Sequence, residues 1–307
     1  MKRSGGSAGR DEFLNRLREV NCWSRGGQRA PHKPLLVLYA LARVSRGEPR
    51  LVAYSEAAPP LERLLREFGP PRKVIHPEYP FWRLERDGIW DVRWPLPFQT
   101  REPRRVDPSH RQMVKEGVSA GFPEGIQQAL EGNPSLVQAA AEMILAEHFP
   151  DTLHEEILTE LGFSTAGDRE WTMRVRRDPH FRDRILLAYG HQCAICGFDL
   201  RMDGIPVGLD AAHIRWKQVG GPDDESNGLA LCTLHHRLFD RGSFTVTDDR
   251  RALVSLRVMG HSLAAALLAF HGKEIRPPQE DFMAPASEHL DWHRREVYRE
   301  PSRSFHD

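Results

Sequence analysis

The chain has 307 residues, and its 43 lysines and arginines balance its 43 aspartates and glutamates. That length is enough for two domains, each with its own hydrophobic core. Because no apolar run is long enough to span a bilayer and the N-terminus lacks the apolar region of a secretory signal, we expect a cytoplasmic protein with no membrane association.

The charge is distributed unevenly along the chain. Residues 1–115 carry 23 basic and 13 acidic side chains, whereas residues 116–165 carry 9 acidic and no basic ones. A surface that follows a phosphate backbone needs such a local excess of positive charge, so the zero total does not exclude a nucleic-acid partner. Arg72, Lys73 and the Arg101–Arg105 cluster are candidates for phosphate contacts.

The first half of the chain is predicted to be mostly helical. Apolar residues recur there at helical spacing, and Pro34 and Asn133-Pro134 mark the starts of two helices. Asp87-Gly88, between Phe81–Leu84 and Ile89–Val92, predicts a small β-hairpin. The predicted helices span Asp11–Val20, Leu35–Ala42, Leu61–Phe68, Leu136–His148 and Leu153–Leu161.

Four segments of this half carry a resemblance to a known family. They are Arg29–Leu36, His76–Leu84, Asp87–Trp90 and Phe149–His154. Together they resemble the sulfur-binding domain that precedes HNH modules in type IV restriction endonucleases, which attack phosphorothioate-modified DNA. The resemblance implies a pocket for a backbone sulfur that replaces one non-bridging phosphate oxygen.

The chemistry of sulfur indicates what such a pocket needs. Sulfur is larger, more polarizable and less strongly hydrated than oxygen, so a partly apolar cup favours it and penalises a normal phosphate. Tyr79 and Pro80 suit the walls of that cup, while basic residues suit the remaining anionic oxygen and the adjacent phosphates. The residues assigned to sulfur and DNA contacts are Arg29, His32, Lys33, Tyr79, Pro80 and Trp82. Two alternatives stay open: the aromatic residues begin a core strand, and His32 and Lys33 only flank a helix start.

Two short ligand pairs stand in the second half of the chain. Cys193 and Cys196 are separated by two residues, and so are Cys232 and His235. Each pair presents two ligands across a tight turn, the spacing that holds one edge of a tetrahedral Zn²⁺ site. A redox pair or a coincidence would explain the first pair alone, but the second pair favours a structural zinc with no open coordination position. Cys22 is the remaining cysteine, so no disulfide framework is implied.

His213, Asn227 and His236 follow one another in the order and spacing of the HNH nucleases. The similarity covers Asp178–Arg250, and a strand-like run before the first histidine and a helical pattern after the last cysteine indicate the ββα-metal shape. The resemblance implies that His213 is the general base and that Asn227 orients it or ties the hairpin to the helix. His236 and Asp240, four residues apart, are placed to hold a catalytic Mg²⁺ or Mn²⁺ ion.

One position departs from the family pattern. Many HNH sites carry an Asp or His directly before the base, where this chain has Ala212. Asp210, two residues earlier and on the same side of a regular strand, is a candidate replacement as a metal ligand. Asp240 also has a plain alternative role as a carboxylate on the helix surface or at the helix end.

These observations predict an α+β chain of two domains. Residues 10–165 would form a mostly helical reader domain with a small β-hairpin, and residues 166–307 a zinc-stabilised ββα-metal nuclease with flanking helices at Ser262–Phe270 and Leu290–Arg299. We expect a modification-dependent endonuclease that reads phosphorothioate in double-stranded DNA and cuts nearby. Since one HNH site cuts one strand, we favour a homodimer over successive nicks. The alternatives are an HNH nuclease that reads a methylated base or a plain sequence, and a noncatalytic zinc-stabilised DNA-binding protein.

Overall fold

The structure is a computed structural model that describes residues 5–20, 22, 27–95, 107–163 and 179–304. The chain divides into two compact units. The first comprises Met1–Arg25, Ala30–Phe149 and Glu155–Met173, and the second comprises Gly26–Arg29, Pro150–His154 and Arg174–Asp307. The domain boundary predicted between residues 164 and 178 and the Arg101–Arg105 cluster lie outside the described residues.

The first unit combines helices with one small sheet. Three short strands, β1 (Val52–Ala53), β2 (Asp91–Arg93) and β3 (Ser119–Gly121), form an antiparallel sheet in the order β1-β3-β2. The described helices are α1 (Gly5–Arg18), α2 (His32–Ser45), α3 (Tyr54–Phe68), α4 (Glu78–Arg83), α5 (His110–Lys115), α6 (Glu124–Glu131), α7 (Pro134–His148) and α8 (Asp151–Glu160), whose first turn clusters with the second unit.

The core of the first unit is built around α2. The run Leu35–Ala42 is buried throughout, as its apolar character on every side of the helix predicts. Pro34 stands in the first turn, where a missing N–H costs no hydrogen bond. The start of α7 also follows the prediction, because the Asn133 side chain accepts a hydrogen bond of 3.2 Å from the Leu136 amide and Pro134 lies in the first turn.

The predicted hairpin around Asp87-Gly88 is wrong. The aromatic segment before it is α4, a 3₁₀ turn follows over Leu84–Asp87, and β2 pairs with β3 instead. Pro77 and Glu78 favour a helix start, because proline presets φ to about −65° and a carboxylate complements the helix dipole. Gly88, with φ of 72°, ends the 3₁₀ turn, whereas a type I′ hairpin needs positive φ at both central residues.

The second unit confirms the predicted ββα arrangement. Antiparallel β6 (Leu209–His213) and β7 (Gly228–Cys232) form a hairpin that continues directly into α10 (Thr233–Asp240). α9 (Pro179–Ala188) packs against both strands. The other elements are β4 (Arg201–Met202), β5 (Ile205–Pro206), β8 (Phe244–Val246), β9 (Ala252–Val254), α11 (Leu263–Ala266) with a 3₁₀ turn at Leu268–Phe270, and α12 (Ser287–Glu296).

α9 can approach β7 closely because residue 228 is glycine. A Cβ atom at Gly228 would lie 2.2 Å from Cδ1 of Ile185 and 3.3 Å from Cζ of Phe181. In the hairpin register Gly228 stands opposite His213. The contact of α9 with this glycine therefore sets the position of Phe181 beside the histidine. Among the described helices, none has the length and apolar character needed to cross a membrane.

Candidate functional site

Cys193, Cys196, Cys232 and His235 converge into one cluster. Each offers a ligand atom, and these atoms all lie within 4.8 Å of one another. The Sγ atoms of Cys196 and Cys232 are 4.0 Å apart, and Nδ1 of His235 lies 3.2 Å from Sγ of Cys232 and 3.7 Å from Sγ of Cys193. A tetrahedral metal with sulfur ligands at about 2.3 Å has edges of about 3.8 Å, so the geometry fits such an ion.

The histidine of this cluster is held in the tautomer that a metal requires. Nε2 of His235 lies 2.9 Å from the carbonyl oxygen of Ala266. Because a carbonyl only accepts, Nε2 carries the proton and the lone pair of Nδ1 points to the sulfurs. A hydrogen bond from the Cys232 thiol lowers the pKa of Cys193, which favours the thiolate form that binds a metal.

His213, the predicted general base, ends β6 and lines a cleft of about 110 Å³. Its ring stacks on Phe181 of α9, with centroids 4.1 Å apart and an interplanar angle of 17°. Nε2 of His213 lies 2.7 Å from Oδ1 of Asp223. Burial lowers the pKa of His213 although Asp223 opposes the shift. The imidazole is therefore neutral near pH 7 and able to accept a proton.

Asn227 fastens the loop between the two strands. Its side chain is fully buried, its Oδ1 accepts a hydrogen bond of 2.8 Å from the Arg215 amide, and its Nδ2 donates to the carbonyls of Arg215 and Pro222, both at 2.9 Å. Of the two roles predicted for Asn227, these contacts fit neither a tie between the hairpin and the helix nor a direct bond to His213. They hold the loop that carries Asp223, so any orientation of the base by Asn227 is indirect.

His236 and Asp240 lie next to each other on α10, and both side chains are buried. Nε2 of His236 is 3.3 Å from Oδ2 of Asp240, while Nδ1 has no hydrogen-bond partner among the described residues and lies 4.0 Å from Oδ2 of Asp210. Two ligand atoms at about 2.1 Å from one ion lie about 3.0–3.4 Å apart in cis-octahedral or tetrahedral geometry, so the 4.0 Å between Nδ1 and Asp210 would shorten by about 0.6–1 Å when both bind one divalent cation. Asp240 then orients the ring from the other side, as acceptors of metal-bound histidines do.

Other charged and polar groups complete the surroundings of the cleft. Arg182 of α9 lines it, with Nε 3.7 Å from Oδ1 of Asp210. Thr152, in the short segment that clusters with this unit, donates a hydrogen bond to Asp240. Burial raises the pKa of Asp240, which this bond and His236 oppose.

The predicted reader residues of α4 are near one another. Tyr79 is 36% exposed, and its ring stacks on His76 at 4.5 Å with the Arg83 guanidinium 4.5 Å from its centroid. Pro80 is buried, and Trp82 makes an edge contact with Trp94. Among the aromatic residues of this helix, Tyr79 therefore has the largest exposed fraction.

The predicted basic residues separate into two places. His32 and Lys33 begin α2 in the first unit, where Nζ of Lys33 is 2.6 Å from Oδ2 of Asp87, in a pair whose side chains are only 15% and 8% exposed. Arg29 clusters with the second unit instead. It is 5% exposed, and its Nη1 donates a bond of 3.0 Å to the carbonyl of Glu296. The DNA contact assigned to Arg29 stays a prediction.

Comparison with known families matches the two halves of the chain separately. Residues 10–166 match the family described as ScoMcrA-like, DNA sulfur-binding domain. The chain belongs to this family. Residues 193–247 match the family described as HNH endonuclease, so the second part of this sulfur-binding family member is an HNH endonuclease domain. A divalent metal accords with that domain.

Three solved structures are similar to the sulfur-binding part. The sulfur-binding domain of ScoMcrA complexed with phosphorothioated DNA is 27% identical, over 48% of this chain and 97% of that one, with a TM-score of 0.42. The corresponding domain of SprMcrA, also complexed with phosphorothioated DNA, is 21% identical, over 50% and 93%, with a TM-score of 0.42. The type IV phosphorothioation-dependent restriction endonuclease ScoMcrA is 25% identical, over 47% of this chain and 28% of its own, with a TM-score of 0.40. Comparison with curated proteins finds no match.

Two functional candidates beside the cleft, Asp223 and Thr152, were not assigned to it from the sequence. Asp223 bonds to His213, and Nζ of Lys217 lies 2.5 Å from its second oxygen. The local sign of Asp223 is the Gly220-Gly221-Pro222-Asp223 segment, whose composition is typical of a tight turn. Thr152 lies in the Phe149–His154 segment, but no local pattern links it to Asp240, which is 88 positions away.

Proposed function

We propose that this protein is a type IV restriction endonuclease that binds phosphorothioate-modified duplex DNA through its sulfur-binding domain and hydrolyses nearby phosphodiester bonds through its HNH domain. The proposed hydrolysis of DNA rests on one observation. His213, held by Asp223, and His236, whose free Nδ1 faces Asp210, line one cleft. The match of residues 10–166 to the DNA sulfur-binding family supports recognition of a phosphorothioate sulfur in DNA.

In the proposed reaction His213 removes a proton from the attacking water. Its Nε2 is engaged with Asp223, so Nδ1 is the accepting atom. Asp210 and His236 would hold Mg²⁺ or Mn²⁺, which when bound neutralises the scissile phosphate and stabilises the leaving 3′-oxygen. Arg182, beside Asp210, adds a guanidinium that can bind a phosphate oxygen.

The Cys₃His cluster is proposed to hold Zn²⁺ as a structural ion. Four protein ligands complete a tetrahedron and leave no position for water or substrate. The sulfurs and His235 bring together the turn after α9, the end of β7 and the first turn of α10. β7 is buried throughout and belongs to the apolar core of the second unit, so the ion would add the free energy of metal binding to that of hydrophobic burial.

The reader is proposed to contact the modified backbone through the residues assigned from the sequence. Tyr79 and Pro80 form the apolar part of a sulfur cup, and His32 and Lys33 supply polar and basic groups at the start of α2. The Tyr79 ring stacks on His76 and lies beside Arg83, which holds it in place as one wall of the cup.

The oligomeric state is also part of the proposal. One HNH site cuts one strand, so double-strand cleavage requires two copies or two successive events. We propose a homodimer, because paired sites place both cuts at one modified locus. Sedimentation on modified duplex would show two chains per DNA, whereas one chain per DNA would support successive nicking.

The function is tested with three matched plasmids that are phosphorothioate-modified, methylated or unmodified. Purified full-length protein is incubated with each in Mg²⁺ or Mn²⁺, and in EDTA as the metal-free control. We expect metal-dependent cutting of the phosphorothioate plasmid alone. Cutting of the methylated plasmid, or of all three plasmids, would refute the proposed recognition of sulfur. Binding without cutting in either metal would refute the proposed nuclease activity.

A further inference from the structure

The Asp223 carboxylate joins two side chains of the HNH domain. Oδ1 lies 2.7 Å from Nε2 of His213, and Oδ2 lies 2.5 Å from Nζ of Lys217. An ionised carboxylate has no proton to donate, so the nitrogen that faces it must carry one. In a neutral ring only one nitrogen is protonated, and Nδ1 of His213 is then left with its lone pair.

We infer that Asp223 is a positioning residue that fixes His213 in the Nε2–H tautomer and makes Nδ1 the proton acceptor, while Lys217 holds the second carboxylate oxygen of Asp223. This inference rests on the proposed nuclease function and deepens it. It assigns to the Gly220–Asp223 turn a role beyond connecting two strands. The arrangement corresponds chemically to other enzymes in which a carboxylate orients a histidine base.

The backbone around Asp223 is fixed on both sides, so the carboxylate is placed before any substrate binds. Nδ2 of Asn227 donates to the carbonyl of Pro222, the preceding residue, at 2.9 Å. Nη2 of Arg184 donates to the carbonyl of Asp223 itself at 2.6 Å. A Cβ at Gly221 would lie 1.8 Å from the Arg215 carbonyl oxygen, so only glycine permits this tight loop.

The ring of His213 is restrained from its other side as well. Phe181 stacks on it at 4.1 Å and 17°, which fixes the plane in which the imidazole lies. A ring held in one plane, with one nitrogen bonded to Asp223, has a single orientation for the other nitrogen. Because the base is already held in its reactive geometry, less conformational entropy is lost when the transition state forms.

The charges that face His213 have opposite effects on its pKa. From the loop, Asp223 raises it and Lys217 lowers it; from α10, Asp240 raises it; burial is the largest influence and lowers it. β7 places Gly228 opposite the histidine and adds no charge there. α9 supplies Phe181, which stacks on the ring, and Arg182, which lies nearer Asp210. Loss of Asp223 should therefore lower the pKa of His213, and loss of Lys217 should raise it.

The kinetic test uses the full-length protein with Mg²⁺ and phosphorothioate plasmid, and measures the single-turnover nicking rate from acid to alkaline pH. Because a neutral base is required, activity rises with pH through the pKa of His213. We expect Asp223→Asn to reduce the plateau rate about 10²-fold, since an amide can also stabilise the wrong tautomer, and to shift the acid limb to lower pH. Lys217→Gln should shift the acid limb to higher pH. Asp224→Asn, a change of the adjacent carboxylate that bonds Ser226, should leave the rate within about twofold and the limb unmoved.

A spectroscopic readout separates positioning from folding and from nuclease function. ¹⁵N-imidazole spectra of the wild-type protein should show His213 with a protonated Nε2 and an unprotonated Nδ1, and Asp223→Asn should give a mixture. A protonated Nδ1 in the wild type, or a wild-type plateau and pH profile in Asp223→Asn, would overturn the inference. A wild type that cuts no DNA would refute the proposed function instead, while the tautomer measurement would still decide the role of Asp223.

Discussion

The contact between α9 and β7 yields a prediction whose size follows from the coordinates. In Gly228→Ala, the new methyl group would stand 2.2 Å from Cδ1 of Ile185, whereas an ordinary contact begins near 3.4 Å. α9 must therefore retreat by about 1 Å or Ile185 must leave its rotamer, and such overpacking costs about 2–3 kcal/mol. Because α9 also carries Phe181, the same retreat loosens the ring of His213. A misplacement of about 1 Å at a catalytic group costs about 10²-fold in rate.

Two measurements test this reasoning on one variant. Hydrogen exchange of the β7 amides across a denaturant series should report the loss of free energy of unfolding in the HNH domain. Nicking of phosphorothioate plasmid should fall about 10²-fold while affinity for the same DNA stays unchanged. Gly125→Ala is the matched control, because a Cβ there meets nothing within 4 Å and alanine suits α6, so its stability should change by less than about 1 kcal/mol. Wild-type exchange and nicking in Gly228→Ala would refute the role assigned to this contact.

Three further changes address the other assignments. His213→Ala should lower the nicking rate about 10²–10⁴-fold with modified-DNA affinity in gel shifts within about twofold, and near-normal cutting would remove His213 from the mechanism. Cys196→Ser alters the exposed ligand of the Cys₃His cluster, so bound zinc by elemental analysis and the melting temperature of the HNH domain should both fall; a folded wild type without zinc would contradict this. Tyr79→Ala should reduce the ratio of affinities for modified and unmodified duplex by about tenfold, or about 1.4 kcal/mol, whereas Tyr79→Phe should retain this ratio. An unchanged ratio in Tyr79→Ala would exclude the sulfur cup.

The features that the sequence predicted well are those set by neighbours in the chain. The Cys₃His cluster depends on two gaps of two residues and on the hairpin that brings the two pairs together. The Leu35–Ala42 helix is predicted by its apolar run alone, because a segment that is hydrophobic on every side must be buried. Local spacing and local composition are enough in these cases.

The features that sequence patterns missed or misplaced depend on distant contacts. β1 pairs with β3 through Val52 and Ala120, and strands of two or three residues show no alternation that a pattern could detect. The Asp87-Gly88 hairpin was an error because aromatic residues with strand preference lie in a helix that Pro77 and Glu78 begin. Local patterns also gave no sign that the Arg29 guanidinium lies 3.9 Å from the centroid of the Trp216 ring, because these residues are far apart in the chain.

The two helix residues predicted to hold the catalytic ion are adjacent in the structure, and their binding of an ion stays a prediction. His236 and Asp240 were predicted to hold the catalytic ion together, and the structure brings them together on α10. However, the nitrogen that faces Asp240 is Nε2, and the nitrogen without a described hydrogen-bond partner faces Asp210. Spacing along a helix identifies neighbours but cannot tell which ring nitrogen each neighbour meets.

The near-zero net charge of the HNH part indicates what a reader on the same chain contributes. Residues 166–307 carry 20 basic and 21 acidic side chains, so the HNH part has little net attraction for a phosphate backbone. Its cleft is lined by three aspartates, Asp151, Asp223 and Asp240, against Arg182 and Lys217, so a bound divalent cation would make it more attractive to phosphate. A reader on the same chain raises the effective concentration of DNA at this cleft without any added affinity in the nuclease itself. Weak intrinsic binding then becomes the basis of selectivity, because unmodified DNA that the reader does not hold seldom stays long enough to be cut.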